Sequence, residues 1–278
     1  MLVVAGMTGW GVLAIYYSNL PAWLRPIVAA VFAAGVVWSL VFMRPRRRGR
    51  LLFLALFVSL VVWWLAIPSS NDRDWQPDVA VLPDAVIEGN LVTIHNIRNC
   101  DYRSETDFDV RHYDRTYDLD KLRTVDFFII YWGSPMIAHT MISFGFEGDD
   151  YLCFSIETRK EKGEDYSAIR GFFKQYELTY VIADERDLVR LRTNYRGEDV
   201  YLYRLKTTPQ MLRDVLRDYL TEVHRLKQKA QWYNALTSNC TTNIRGHARP
   251  YMVSPWDWRI LLNGYIDEMA YRNGRLDQ

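Results

Sequence analysis

IVAAVFAAGVVWSLVFMRPRRRGRLLFLALFVSLVVWWLAI, residues 27–67, decides the architecture of this chain. Two almost purely apolar runs, residues 27–43 and 51–67, flank a short loop that carries Arg44, Arg46, Arg47, Arg48 and Arg50. A helix crosses the bilayer core with about 20 mostly apolar residues, and fewer suffice where aromatic flanks or tilt assist. Both runs read as transmembrane helices. A third apolar segment, residues 2–17, is uncharged, rich in Gly and shorter. No basic region precedes it and no convincing small-residue cleavage site follows it, so it reads as a further membrane helix rather than a removed signal peptide. Short loops rich in arginine stay cytoplasmic. The second helix then runs inward and the third outward, which predicts a multi-pass inner-membrane protein with its N-terminus in the cytoplasm and everything after Pro68 on the periplasmic side. A nucleic-acid role for the arginine loop is disfavoured by the membrane-length helices on both sides of it.

The chain-wide averages hide this division. Over 278 residues, 49% are hydrophobic, 24% are charged and the net charge is +1, which resembles an ordinary soluble domain. Yet before position 70 the charged residues are Arg25 and the arginine cluster alone, whereas the remainder is dense in Asp, Glu, Arg and Lys. Two domains follow: a three-helix anchor over residues 1–69 and an extracytoplasmic domain over residues 70–278.

Within the second domain, a Pro- and Asp-containing linker leads into VIEGNLVTIHNIRNC, whose alternation predicts a strand. The charged, aromatic block DYRSETDFDVRHYDRTYDLDKL fits extended structure, and VDFFIIYWG, AHTMISFGF and DYLCFSIETR read as strands. The pair flanking EGDD is expected to form an antiparallel hairpin. Further strands are expected in ELTYVIADERDLVRLRTN and DVYLYRLKT, and PQMLRDVLRDYLTEVHRLKQK has apolar residues at helical spacing. The fold class expected is α+β.

Three cysteines leave at least one thiol unpaired within the chain, in a compartment that permits disulfides. Cys153 reads as core packing and Cys100 as core, surface or a disulfide partner. Cys240 differs, because it follows Ser238 and Asn239 and precedes Thr241 and Thr242, so a helix starting there sets the thiol at its N-terminus. Helix N-termini stabilise anions and present free N–H groups to an oxyanion. A free cysteine is also among the most often buried residues, so a capped helix start can hold it as core. Among the five histidines, His139 lies inside an apolar strand, where an unpaired imidazole is costly to bury. A turn centred near Gly148 and Asp149 sets Glu157 or Thr158 opposite His139, with Ser155 and Arg159 on the same face by period two. Glu157 is the first candidate to orient the imidazole and Ser155 the second.

A His on one strand, an acceptor on the next and an Asn-Cys pair at a later helix start resemble the circularly permuted papain-like (NlpC-like) thiol enzymes, among them the lecithin:retinol acyltransferase group. The segments HNIRNCDYRSETDFDVRHYDRTYDLDKL, YWGSPMIAHTMISFGF, SIETRKEKGEDYSAIRGFFKQYELTYVIADERD, NYRGEDVYLYRL and WYNALTSNCTT are similar to the Lnb-type periplasmic domain of bacterial membrane proteins, over about residues 90–250. That resemblance implies a lipoprotein N-acyltransferase, which moves a fatty acyl chain from a phospholipid donor, through a cysteine thioester, to the α-amino group of a diacylglyceryl-cysteine lipoprotein. It sets Cys240 as nucleophile, His139 as base and Glu157 as orienter. Asn239 is expected to contribute to the oxyanion site. No cofactor and no metal are expected.

Arg103, Arg159, Lys160 and Arg170 are candidates for holding lipid phosphate, since Arg offers a bidentate fork, although most such charges are simply solvated. Trp132, Trp256 and Trp258 are candidates for a membrane-facing rim or for core packing. The alternative class is an extracytoplasmic papain-like cysteine peptidase or cell-wall amidase, which would need a polar, open cleft in place of an apolar groove beside Cys240.

Overall fold

The computed structural model describes residues 2–251 and 257–276, so Trp256 lies outside the described residues. The chain divides into two compact units: residues up to Ser69 together with Tyr166–Tyr176, and Ser70–Asp165 together with the chain from Glu177 onward.

The first unit holds α1 (Leu2–Tyr16), α2 (Leu24–Val41) and α3 (Arg46–Ala66). α2 and α3 are long and apolar enough to cross a membrane, while α1 is apolar but spans 15 residues. Apolar side chains such as Val31, Trp38, Leu54 and Val62 are exposed, as expected of helices whose solvent is lipid. Ile15, Ala29 and Leu60 join the three helices in a small shared core. α3 begins inside the arginine cluster. Cations are unfavourable at a helix N-terminus, so the long apolar run behind this first turn, not the turn itself, drives the helix. Tyr166–Tyr176 packs on the other end: the Lys174 ammonium donates to the carbonyls of Trp64, Leu65 and Ile67 at 2.9, 3.0 and 3.2 Å. A cation there satisfies the orphan carbonyls of the α3 C-terminus. Phe173 stacks on Tyr17 at 5.7 Å, and the Gln175 amide donates to the Tyr17 carbonyl.

The second unit is built on a sheet. Its elements are β1 (Asp84–Glu88), β2 (Leu91–Arg98), β3 (Asp101–Tyr102), β4 (Phe108–Asp109), β5 (His112–Asp118), β6 (Leu122–Tyr131), β7 (Ala138–Phe146), β8 (Asp150–Arg159), β9 (Glu177–Ala183), α4 (Glu185–Arg190), β10 (Asp199–Arg204), α5 (Pro209–Gln228), α6 (Cys240–Ala248) and α7 (Ile266–Arg272). A π-helical turn, Leu191–Tyr195, follows α4. The main sheet runs β1-β2-β9-β8-β7-β6-β10 with β5 also paired to β2, while β3 and β4 pair separately. Its pairings are antiparallel except β2 with β9. The α+β reading therefore holds: three N-terminal helices are followed in the chain by a mixed, mostly antiparallel sheet with helices.

β7 and β8 form the expected hairpin, with Met141 opposite Ser155 and Phe146 opposite Asp150. Gly148 and Asp149 both take positive φ in the turn, which glycine adopts freely and aspartate tolerates. Alternation along β7 sends successive side chains to opposite faces. Phe144 meets Tyr219 of α5, as do Phe154 and Tyr180. Leu212, Val215, Leu216, Tyr219, Leu220, Val223 and Leu226 form the buried stripe of α5 at helical spacing. On the other face Met141, Cys153, Val181 and Ala183 pack with Leu188 of α4.

Candidate active site

Asn239 and Thr242 fix the start of α6. The Asn239 carboxamide oxygen accepts from the Thr242 amide at 2.9 Å, and the Asn239 amide donates to the Thr242 hydroxyl at 2.8 Å, a reciprocal capping box. Cys240 therefore occupies the first helical position without being needed for the cap. Its sulfur lies 3.9 Å from the Thr241 hydroxyl and 3.9 Å from the Asn263 carboxamide nitrogen. All three cysteines are free. Burial pushes the Cys153 thiol well up, and burial followed by the Asp187 carboxylate pushes Cys100 up to about 11, so both stay protonated.

Asn263 ties the Cys240 helix to the start of β7. Its carboxamide donates to the Ala138 carbonyl at 2.6 Å and to the Thr241 hydroxyl at 2.7 Å, and accepts from the Ala138 amide at 2.9 Å. The next residue, Gly264, lets the two segments close up: a Cβ there would stand 2.1 Å from the Pro135 carbonyl oxygen. Thr140 also meets Thr241, hydroxyl to hydroxyl at 3.3 Å. The residues on either side of His139 are thus pinned to the Cys240 turn.

His139 itself turns to the opposite face. Its Nε2 lies 2.7 Å from the Ser155 hydroxyl, which donates to Glu157 Oε1 at 2.6 Å, and Arg192 Nη2 donates to the same carboxylate oxygen at 3.0 Å. A hydroxyl has one proton, and here it goes to Glu157. Nε2 must then donate to Ser155, leaving Nδ1 as the unprotonated, basic nitrogen of the neutral ring. No hydrogen bond joins His139 to Cys240 among the described residues.

Burial drives the electrostatics of this chain of groups. It pushes His139 down to about 3, Arg192 adds to the effect and Glu157 opposes it, so the imidazole rests neutral at pH 7. Burial alone would raise Glu157, but the attraction of Arg192, then of His139 and Arg98, with the Ser155 hydrogen bond, holds its carboxyl well below the usual range. Glu157 still pulls the imidazole upward, but burial outweighs it and the net shift is downward. Glu157 stands 3.9 Å from the imidazole with Ser155 between them, and its charge is shared with Arg192.

Both sequence candidates for orienting His139 thus act in series, Ser155 on the ring and Glu157 on Ser155. Trp132 is 43% exposed with its ring 6.4 Å from that of His139. The remaining candidates have other partners. Arg159 donates to the carbonyls of Val79 and Ala80 and to Asn71, and lies over the Trp75 ring. The Lys160 carbonyl accepts from the Gln76 amide. Arg103 pairs with Asp107 and Asp109 on the surface. Sequence reasoning missed Arg192 and Asn263. The first sits on the π-helical turn after α4, and such turns are often found at functional sites. The second stands in an Asn-Gly pair, a pattern that signals a turn and nothing about a site.

Residues 109–264, more than half of the chain, match the Lnb N-terminal periplasmic domain. No curated protein and no solved structure matches. The matched span contains His139, Ser155, Glu157, Arg192, Cys240 and Asn263, and the chain belongs to the Lnb N-terminal periplasmic domain family.

Proposed function

We propose that this protein is a membrane-bound lipoprotein N-acyltransferase with the layout of a permuted papain-like thiol enzyme: Cys240 as nucleophile, His139 as base, and Ser155 and Glu157 as positioning residues. The observation that carries the reading is a free cysteine at a capped helix start whose neighbour Thr241 is hydrogen-bonded through Asn263 to the strand that bears a tautomer-fixed histidine. In the first step the Cys240 proton passes to His139 Nδ1 as the sulfur attacks the ester carbonyl of a phospholipid. The tetrahedral adduct expels the glycerol oxygen, which takes the proton from the imidazolium, and the lysophospholipid leaves behind an acyl thioester. In the second step the α-amine of a diacylglyceryl-cysteine lipoprotein attacks the thioester and gives a proton to His139. The C–S bond breaks, an amide forms, and the sulfur recovers the proton. Catalytic hydrogen bonds often tighten only when substrate binds, and this step needs the thiol and His139 Nδ1 to come within hydrogen-bond reach. The Cys240 amide and the Asn239 carboxamide are the proposed oxyanion donors. Donor and acceptor both reside at a membrane surface, so a tethered site finds them without three-dimensional search.

The direct test is incubation of the purified protein with a phospholipid of defined acyl chains, followed by mass spectrometry of the Cys240 peptide. An acyl mass, removed by hydroxylamine and absent from the Cys100 and Cys153 peptides, is expected. An unmodified Cys240 with intact phospholipid would sink the reading.

The proposed orientation sets the arginine loop in the cytoplasm and the second unit outside. Alkaline phosphatase fused after residue 70 is expected to be active and the same enzyme fused at Arg48 inactive. The opposite pattern would move the site to the cytoplasm and deny it a lipoprotein acceptor.

A further inference from the structure

A pocket of about 220 Å³ lies beside the proposed nucleophile, between β6, β7, α5, α6 and α7. Its walls include Ile142, Phe144, Met211, Ile244 and Met269, and Thr241, the residue after Cys240, reaches into it. The charged residues in its lining are Arg245 and Arg275, with no carboxylate among them. Protein interiors leave few voids larger than a water molecule. A cavity of about 150 Å³ with similar apolar walls accepts benzene, and on that scale this one has room for roughly nine carbons of a chain. A sugar or a peptide would bring many hydrogen-bonding groups to walls that are mostly hydrocarbon, at a desolvation cost those walls cannot offset.

We propose that this pocket holds the carboxyl-proximal part of a single fatty acyl chain, with its carbonyl at Cys240 and Thr241 and its methylenes along Ile142, Phe144, Ile244 and Met269. The proposal deepens the acyltransferase reading and rests on it. The cavity reaches the first turn of α6 at Thr241, whose hydroxyl lies 3.9 Å from the Cys240 sulfur, and this brings the chain's reactive end to the thiol. The two arginines complement an anionic phosphate, which a phospholipid donor carries and a neutral wax or triglyceride lacks. A chain seated here is selected by its length and shape close to the carbonyl.

The test separates binding from turnover. Full-length Cys240→Ala protein in nanodiscs is irradiated with a phosphatidylglycerol bearing a diazirine in the carbonyl-proximal half of one acyl chain, and the adducts are mapped by mass spectrometry. Adducts on Met211, Ile244 or Met269 are expected, reduced about tenfold when Ala270→Trp or Ala248→Leu fills the cavity. Adducts confined to the N-terminal helices or scattered over the surface would overturn the pocket, whether or not either variant folds. With Cys240 intact, Ala270→Trp is expected to shift thioester formation toward short-chain donors by about tenfold. An unchanged chain-length preference in a folded Ala270→Trp protein would overturn the pocket and leave the acyltransferase reading standing. Adducts in the pocket of a wild-type protein that never forms a thioester would instead support the pocket and sink the acyltransferase reading.

Discussion

Cys240→Ala is expected to eliminate the proposed acyl transfer while the protein stays folded. A nucleophile and its base fail as a unit, so under the proposed mechanism removing either is expected to lower the rate by on the order of 10⁴-fold or more, and His139→Ala should match Cys240→Ala within the detection limit of the assay. The structure says why the thiol can be removed cheaply. α6 is capped by Asn239 and Thr242, whose reciprocal bonds do not involve the Cys240 side chain, so the helix start survives and the lost sulfur costs about 1 kcal/mol of buried contact. Asn239→Ala is the contrasting case, since it breaks the cap itself, at about 1 kcal/mol. Cys100→Ser and Cys153→Ala should act through stability alone, because both thiols are buried and held protonated. The measurements are lipoprotein N-acylation assayed by mass spectrometry and thermal unfolding of each variant. More than a few per cent of wild-type activity in folded Cys240→Ala would rule out a covalent route.

The parts of the site that could be read from sequence are those that depend on local pattern. Two apolar runs around an arginine loop give helices wherever the chain lies, and the EGDD turn sets a hairpin whose period of two carries Glu157 and Ser155 to the face of His139. The Asn-Cys-Thr-Thr segment caps a helix by chemistry confined to four residues. What could not be read depends on contacts between distant segments. Arg192 reaches Glu157 from the turn after α4, and Asn263 reaches Ala138 from 125 residues away. Neither distance has a periodicity to announce it. The sign of the His139 shift was hidden for the same reason: a carboxylate on the neighbouring strand suggests an upward shift, whereas burial, with Arg192 arriving from outside the hairpin, outweighs it. The segment Tyr166–Tyr176 is a further case, a loop between two sheet strands that belongs with the N-terminal helices through Lys174 and Phe173.

Arg192→Met and Glu157→Gln together should damage the protein less than the sum of the two single variants. The two side chains are nearly withdrawn from water, Arg192 at 8% and Glu157 at 22% exposure, and the guanidinium meets Glu157 at 3.0 Å and Glu198 at 3.5 Å. Removing one member leaves the other as a buried charge short of a partner, at about 3 kcal/mol, and removing both still strips Glu198 of Arg192, so the double variant should cost less than the two single costs added. Because the folded pKa of Glu157 is depressed, the pair's stabilisation is complete above the ordinary carboxylate range and is lost as the pH falls below it. Urea unfolding at pH 7 is therefore expected to show a coupling that vanishes in strong acid. The catalytic consequences run in opposite directions. Arg192 pushes the His139 pKa down and Glu157 pulls it up, so Arg192→Met should move the acid limb of the kcat/KM profile to higher pH and Glu157→Gln to lower pH. Glu157→Gln keeps an oxygen for the Ser155 proton and should retain more activity than Glu157→Ala, in which the hydroxyl is free to turn its proton toward Nε2 and release the tautomer that leaves Nδ1 basic. Wrong-tautomer losses in comparable sites reach about 10⁴-fold. If the acid limb stays fixed in both folded single variants, Arg192 and Glu157 do not act on the imidazole, and His139 is held by Ser155 alone.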